Sequence, residues 1–407
     1  MRMIKRLIYI TALLLLTLSL TVGAMGADAN ETRALLDDEQ GRIVAVSHRG
    51  DTASYPANSL EAIEAAAEKG ADAVSVSVSL TGDGIPVLCE SISLGNIIDT
   101  DKSFIGDITA EELLSFTLYD SYGASTDIKP VTLEGALKAL EGKTYLILDI
   151  TPEALDAVYD TVSDCGALGS VSVRIRQSAS RIVGYEKEGL DIIGVYTGNI
   201  IWNSIGHINK LSQAGMTAAE YRTKNHFNVC YGTMVGDSFS ADGKARASAA
   251  AYDTELCGKR SDSQQGWDSL VADGFTVIET NNISGLCEYI KMCTAQQKAL
   301  ERIIEKAEKT ELEGSSLLSR NNLIRAIEKG KAAVEGRAKP LSQLQTAYSE
   351  LVSSLQNRRI ADGEEQTKGA LDISVGRIAV FVLTGAAIFG AQVFVDKKKK
   401  TKSSGGK

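Results

Sequence analysis

Residues 43–292 alternate between two kinds of segment: short runs rich in β-branched and aromatic residues, and longer runs with apolar residues at helical spacing. Strands separated by helices pair in parallel, because only a long crossover returns the chain to the same end of a sheet. The predicted strands are Ile43–Ser47, Ala73–Ser79, Pro86–Cys89, Thr144–Ile150, Val171–Ile175, Ile192–Tyr196, Phe227–Tyr231 and Thr276–Glu279. Eight parallel strands over about 250 residues predict an α/β fold, a TIM (β/α)₈ barrel. A doubly wound open sheet is the alternative, although no glycine-rich phosphate loop follows the first strand.

Charge and residue counts exclude several classes of function. The chain has 407 residues, with 43 Lys and Arg against 52 Asp and Glu, a formal net charge of −9. This acidic balance argues against a nucleic-acid partner, which requires a broad basic face. Only 3 histidines are present, and the 6 cysteines show no CxxC spacing, so a His-rich metal site, a zinc module and a dithiol redox centre are all disfavoured.

Apolar runs near both ends indicate export and membrane attachment. Basic residues precede the run 7–22, which ends in small residues, as is typical of a secretory signal peptide over residues 1–27. Residues 378–395 form a second apolar run, long enough for a transmembrane helix, and the basic tail 396–407 follows it. An uncleaved anchor or a buried helix is the alternative for these runs. We expect a single-pass cell-membrane protein, its bulk extracellular and its lysine-rich tail cytoplasmic.

Helix-favouring residues dominate from residue 295, and breaks near residues 314 and 336 divide them into three helices. A small three-helix bundle is therefore predicted over residues 295–358. The segments NNLIRAIEKGKAAV and QLQTAYSELVSSL resemble FIVAR modules of Gram-positive surface proteins, which implies a spacer or adhesive module. Residues 28–42 and 359–377 are polar and are predicted to be a linker and a stalk.

Three short motifs stand near the first two strands of the predicted barrel. SHRGD occupies residues 47–51, PANS follows at 56–59, and GADAVSVSVSLTGDGIPV spans 70–87. This order resembles the glycerophosphodiester phosphodiesterase family, and WDSLVADGFTVIETNN at 267–282 is similar to its closing strand. The resemblance covers about residues 43–292 and implies a TIM barrel of the PLC-like phosphodiesterase type.

The resemblance also implies a particular chemistry. Family members hold a divalent cation, Ca²⁺ or Mg²⁺, beside the phosphate of a phosphodiester, while an arginine shares the phosphate charge and two histidines exchange protons. The first histidine and the arginine correspond to His48 and Arg49. Asn58 corresponds to the asparagine of a Pro-Glu-Asn element, although Ala57 replaces the glutamate.

Most of the family's remaining site positions are replaced in this sequence. Two of the metal carboxylates correspond to Ser75 and Ser77, neutral side chains that are poor ligands for a hard cation. Asp149 occupies the third metal position, and Glu90 stands where the second histidine is expected. The aspartate of the closing strand corresponds to Asn281.

Three hypotheses follow from this mixture of matches and replacements. A catalytically degenerate barrel would bind a phosphodiester or a cell-envelope polymer through His48, Arg49, Asn58 and Asn281. A rewired phosphoric diester hydrolase would use His48, Arg49 and Glu90. In that enzyme, Glu90 and Asp149 would either rebuild a Ca²⁺ or Mg²⁺ site or form an acid–base pair. An inactive protein would need no cofactor. A non-catalytic surface scaffold or adhesion protein is the third.

Overall fold

The computed structural model describes residues 32, 42–90, 94–141, 143–175, 184–185, 188–194, 229–230, 256–257, 261–272, 275–313, 315–336 and 338–361. The predicted signal peptide, transmembrane helix and basic tail lie outside these residues, as do most of the predicted linker and stalk. Among the helices of the described residues, none is both long and apolar enough to cross a membrane.

Within the described residues, nine strands form one sheet. They are β1 (Val44–His48), β2 (Ala73–Leu80), β3 (Pro86–Leu88), β4 (Tyr145–Ile150), β5 (Val171–Ile175), β6 (Asp191–Gly194), β7 (Val229–Cys230), β8 (Leu256–Cys257) and β9 (Val277–Thr280). Their order is β6-β5-β4-β2-β1-β9-β8-β7, with β3 paired to β2. Neighbouring strands along this order pair in parallel from β6 to β8 and from β8 to β7. The predicted parallel α/β architecture is confirmed, while the complete eight-stranded closure stays a prediction.

The prediction for the third strand was wrong in one respect. Residues 86–88 pair antiparallel to β2, with Val78 opposite Leu88, and do not form a parallel barrel strand. Only five residues separate the two strands, too few for the crossover that a parallel pair needs. Strand β8, which the sequence pattern missed, belongs to the parallel set instead.

Helices follow most of the parallel strands. They are α1 (Leu60–Glu68), α2 (Ala110–Ser115), α3 (Leu133–Leu140), α4 (Leu155–Asp164), α5 (Gln264–Ala272), α6 (Ile283–Glu308), α7 (Leu317–Val334) and α8 (Leu341–Ala361). Side chains at the N-caps fix several helix starts: Ser59 accepts from the Ala62 amide and Asn282 from the Gly285 amide.

The last three helices occur where the sequence predicts helices, but the chain does not break at the predicted boundary. Helix α6 continues from residue 283 to residue 308, through the predicted boundary between 292 and 295, since it contains no proline and its apolar spacing is uninterrupted. The described residues divide into two compact units, one of those up to 309 together with 326–351, the other of 310–325 together with 352–361. The three-helix module as a separate domain stays a prediction.

Four of the cysteines, Cys89, Cys165, Cys287 and Cys293, are free. Burial raises the pKa of the Cys89 thiol to about 12, so it is not a thiolate nucleophile at neutral pH. Cys230 and Cys257 are register partners on β7 and β8.

A contact between two distant strands reveals how strongly the sheet curves. Arg174 on β5 donates through Nη1 to Glu279 Oε2 on β9, at 2.8 Å. In the sheet order these strands are four steps apart, which would be ~19 Å in a flat sheet. The sheet must therefore curl until the side chains meet across its concave face, as they do in a barrel. The carboxyl ends of β1, β2, β4, β5 and β9 thus surround a common site.

Candidate functional site

The turn after β1 has a strained backbone held in place by hydrogen bonds. Arg49 and Asn58 both adopt left-handed conformations, with φ of 61° and 62°, at a cost of about 1 kcal/mol for a residue such as arginine. The Arg49 amide donates to Ser75 O at 2.7 Å, and the Asn58 amide donates to Arg49 O at 3.0 Å. Asn58 Oδ1 also accepts from the Ser77 amide at 2.9 Å. These contacts attach the turn to β2 and fix the backbone position from which the Arg49 side chain extends.

Gly50 allows this turn to pack against α1. Its φ is +87°, and a Cβ at this position would lie 2.5 Å from the Ala62 carbonyl carbon. A side chain at residue 50 would therefore displace either the turn or the helix. The HRG sequence thus serves a backbone requirement as well as supplying two polar side chains.

His48 is oriented by a buried glutamate. Its Nδ1 lies 2.6 Å from Glu279 Oε1, and the Ser75 hydroxyl donates to the same oxygen. Because an ionised carboxylate only accepts, Nδ1 carries the proton, and Nε2 of the neutral ring is left as an acceptor. His48 Nε2 is buried and has no hydrogen-bond partner. The arrangement presents one imidazole nitrogen of defined tautomer.

Arg174 lies between two carboxylates. Its Nε and Nη2 donate to the two oxygens of Asp149 on β4, and its Nη1 and Nη2 reach Glu279. The side chain is 12% exposed, so these ion pairs are poorly screened by solvent. Arg174 thereby links the residue at the family's third metal position to the residue that orients His48.

A second guanidinium–carboxylate pair lies on the other side of the HRG turn. Arg49 Nη1 donates to Glu90 Oε2 at 2.6 Å, and Nη2 donates to Oε1. Arg49 Nε is buried without a partner. The pair is partly exposed, 26% for Arg49 and 28% for Glu90, so a ligand could exchange with Glu90 at Arg49.

The charge state of Glu279 follows from its surroundings. Burial alone would raise the pKa of this carboxyl, but the Arg174 charge and the hydrogen bonds from His48 and Arg174 outweigh burial and hold the pKa well below its usual value. Glu279 is therefore ionised at neutral pH. Two guanidinium groups face three carboxylates around the site, which leaves one negative charge when His48 is neutral.

The remaining predicted site residues have positioning contacts. Asn58 joins the turn to β2, as described above. Asn281 follows β9 and is held by Asp262: its amide donates to Asp262 Oδ1 at 2.7 Å and its Nδ2 to Oδ2 at 2.9 Å. A role for either residue in ligand binding stays a prediction.

Sequence reasoning missed Arg174 and Glu279, the two residues that join the site across the sheet. A usable signal was present, because each is the one charged residue of its strand. A buried charge requires a partner, so each of these residues predicts a residue of opposite charge nearby, although the sequence does not say which one.

These side chains do not fit a divalent cation. Both oxygens of Asp149 are bonded to Arg174, both oxygens of Glu90 to Arg49, and the Ser75 hydroxyl donates to Glu279. No cluster of three or more His, Cys, Asp or Glu side chains suited to a metal occurs in the described part of the chain. A hard cation prefers several carboxylate or carbonyl oxygens, and here the available carboxylates are neutralised by guanidinium groups.

Comparison with known proteins agrees with the fold and the HRG turn. Residues 48–193 match the model of the Glycerophosphoryl diester phosphodiesterase family. Glycerophosphodiester phosphodiesterase 1 of Bos taurus is 25% identical over 159 residues, 35% of this chain and 48% of that protein. The human protein of the same name is 26% identical over 162 residues, with the same coverage. This chain spans about half the length of the curated relatives it matches.

A solved structure supports the same fold. A glycerophosphoryl diester phosphodiesterase from Parabacteroides distasonis superposes with a TM-score of 0.52 and 16% identity, covering 65% of this chain and 92% of that one. At this identity the likeness concerns the fold alone. Residues 48–193 therefore resemble the glycerophosphoryl diester phosphodiesterase family in sequence, and the fold of the described residues agrees with that resemblance.

The lowered pKa of Glu279 makes the site sensitive to acid. Its native carboxyl resists protonation, whereas in the unfolded chain it takes up a proton near pH 4.5. The stability that Glu279 contributes is therefore complete above that pH and is lost as the pH falls. We expect Glu279→Gln to lower the free energy of unfolding at pH 7, and the gap to wild type to shrink by about pH 3.5. Urea unfolding at both pH values measures this, and a gap that does not shrink would contradict the assignment.

Proposed function

We propose that this chain is a membrane-anchored extracellular protein whose phosphodiesterase-like domain binds a phosphodiester, or a cell-envelope ligand containing one, without rapid turnover. The observation that carries the proposal is the pair of buried, unpartnered polar atoms on consecutive residues, His48 Nε2 and Arg49 Nε. Buried polar groups without partners are rare, and a ligand or water is a common explanation. An imidazole and a guanidinium are suitable groups for contacting a phosphodiester monoanion.

The proposed loss of rapid turnover is supported by what surrounds these two residues. Two proton transfers are needed in the family's reaction, one at the nucleophile and one at the leaving oxygen. The residue at the second histidine position, Glu90, is bonded to Arg49 through both carboxylate oxygens. His48 would have to make both transfers alone. Groups that act as a unit lose most of their rate when one is removed.

The alternative is a slow hydrolase in which His48 Nε2 serves as both acceptor and donor of the proton. The observation that favours it is the fixed Nδ1 tautomer, since Glu279 leaves Nε2 as the reactive nitrogen. A structural scaffold that neither binds nor hydrolyses phosphodiesters is the third possibility. The three functions differ in two measurable properties: binding and turnover.

The decisive experiment measures both properties on the full-length chain purified in detergent. Calorimetric titration with glycerophosphocholine and glycerophosphoglycerol tests binding, and release of glycerol phosphate with Ca²⁺, Mg²⁺ or chelator tests turnover. We expect binding without release, and loss of binding in His48→Ala. Arg302→Ala, on the exposed face of α6, is the matched control and should bind normally.

The other outcomes separate the alternatives. Release that disappears in His48→Ala but not in Arg302→Ala would contradict the degenerate assignment and support the hydrolase. Neither binding nor release with any diester of the panel would contradict both, and would favour the scaffold.

The pairing of Glu90 with Arg49 generates a prediction that distinguishes it from a catalytic group. Glu90→Gln removes the charge that competes with an anion for Arg49, so phosphodiester affinity should rise about two- to fivefold, the value of a half-exposed ion pair worth ~0.5–1 kcal/mol. Calorimetric titration measures the change. Glu64→Gln, on the exposed face of α1, is the control and should leave affinity unchanged. Unchanged or weaker binding in Glu90→Gln would show that Glu90 does not compete for Arg49.

The proposed location rests on the sequence. Residues 378–395 are apolar and long enough to span a bilayer, and the following lysines favour a cytoplasmic tail. Deleting residues 378–395 should move the protein from the membrane fraction to the soluble fraction after expression. Retention in the membrane fraction would refute this anchor.

A further inference from the structure

We propose that the Arg174 guanidinium takes the place of the divalent cation, so that this site binds a phosphodiester without a metal and has no affinity for Ca²⁺ or Mg²⁺. The inference deepens the proposed function of the same site, and its first readout, metal binding, does not depend on that function. Three features support it: the position of Arg174, the charges around it, and the serines that stand at two of the family's metal-ligand positions.

Position is the first argument. Asp149 corresponds to the one family metal carboxylate retained here, and Arg174 is its register partner on the neighbouring strand β5. The guanidinium contacts both Asp149 oxygens and reaches Glu279 on β9. A positive group thus bridges acidic side chains from two strands, which is the arrangement that a cation between carboxylates would have.

Charge is the second argument. Without Arg174, the carboxylates of Asp149 and Glu279 would lie near each other, with hydrogen bonds from His48 and Ser75 to Glu279 as the remaining compensation described above. The guanidinium removes most of this repulsion, and at 12% exposure it does so with little help from solvent. A divalent cation placed here would meet a fixed positive charge and would have to displace bidentate hydrogen bonds.

The replaced ligand positions are the third argument. The Ser75 hydroxyl donates a hydrogen bond to Glu279, so Ser75 helps to stabilise the Glu279 carboxylate. Ser77 is the register partner of Asp149 on β2 and would supply only a neutral hydroxyl. Serine at both positions leaves too little negative charge for a hard cation but suits a site already neutralised by an arginine.

The phosphodiester would then meet the side chains of the HRG turn. In the HRG turn, His48 Nε2 and Arg49 Nε are buried without a hydrogen-bond partner, whereas Arg174 is engaged with carboxylates. Arg174 is accordingly a positioning residue: it sets the electrostatic potential and, through Glu279, the orientation of His48. The ligand class is an organic phosphodiester monoanion.

The test uses the full-length chain in detergent, stripped of metal with a chelator. Calorimetric titration with CaCl₂ or MgCl₂ alone should give no binding to wild type, and neither salt should raise its thermal midpoint relative to NaCl. Affinity for glycerophosphocholine should be the same with chelator and with Ca²⁺. The inference would be overturned if wild type bound Ca²⁺ or Mg²⁺ saturably and Arg302→Ala bound it equally. It would also be overturned if glycerophosphocholine binding were lost in the presence of chelator.

Variants of Arg174 test the residue itself. Arg174→Ala leaves the Asp149 and Glu279 carboxylates without the guanidinium between them and should therefore gain Ca²⁺ binding, measured as heat of binding and as a Ca²⁺-specific rise in the thermal midpoint. A folded Arg174→Ala variant that binds neither Ca²⁺ nor Mg²⁺ would contradict the proposal that Arg174 takes the place of the cation. Should this variant fail to fold, Arg174→Lys keeps the charge and should bind no metal, whereas metal binding by it would contradict the inference. Absence of binding of both glycerophosphocholine and glycerophosphoglycerol under every condition refutes the proposed function, while the metal titrations still decide the role of Arg174.

Discussion

The ion pair between Arg174 and Glu279 connects the two sides of the curved sheet, and the geometry of the site follows from it. Strands β5 and β9 are four steps apart in the order, so this pair can form only when the sheet curls. The same glutamate accepts a hydrogen bond from His48 Nδ1, and the same arginine forms an ion pair with Asp149. The curvature of the sheet thus permits this interaction, and the orientation of the imidazole and the charge balance of the site both involve its two residues. Truncating Arg174 would leave the buried Glu279 carboxylate without its guanidinium partner, which is far more costly than the net value of the pair, whereas truncating Glu279 would leave Arg174 paired with Asp149.

The sequence predicted the parts of the structure that depend on local pattern. Alternation of strands and helices gave the parallel sheet, and the HRG motif located the end of β1, because both signals lie within short stretches of chain. The third strand was assigned to the wrong pairing, although the short connection and the Asp83-Gly84 turn already favour a hairpin. Arg174 and Glu279 were missed because they are 105 residues apart and meet only through curvature. A charged residue in a buried strand was the available signal, but choosing its partner requires the fold.

Replacing a cation with a guanidinium changes what such a site can do. A bound metal ion has coordination positions open to the ligand and concentrates two charges at one point, which stabilises charge that develops on phosphate oxygens. Arg174 carries one delocalised charge and directs its N–H groups to Asp149 and Glu279. Its effect on a ligand is therefore indirect. Recognition of an anion through His48 and Arg49 is compatible with this exchange, whereas stabilisation of a transition state is weakened, which is why we propose binding without fast hydrolysis.

The strained turn distinguishes a binding site from a scaffold. A barrel needed only for its shape gains nothing from a left-handed arginine at residue 49, because an ordinary turn would connect β1 to α1 without that cost. Here the strained conformation is held by two backbone hydrogen bonds, from the Asn58 amide to Arg49 O and from the Arg49 amide to Ser75 O. The turn also requires glycine at residue 50, where there is no room for a side chain. The result is that Arg49 and His48 start from fixed backbone positions, each with a buried nitrogen left without a partner. A strained backbone that places unpartnered polar atoms side by side is expected where a bound ligand offsets both the strain and the missing hydrogen bonds. This is the physical reason to prefer phosphodiester binding to a purely structural role.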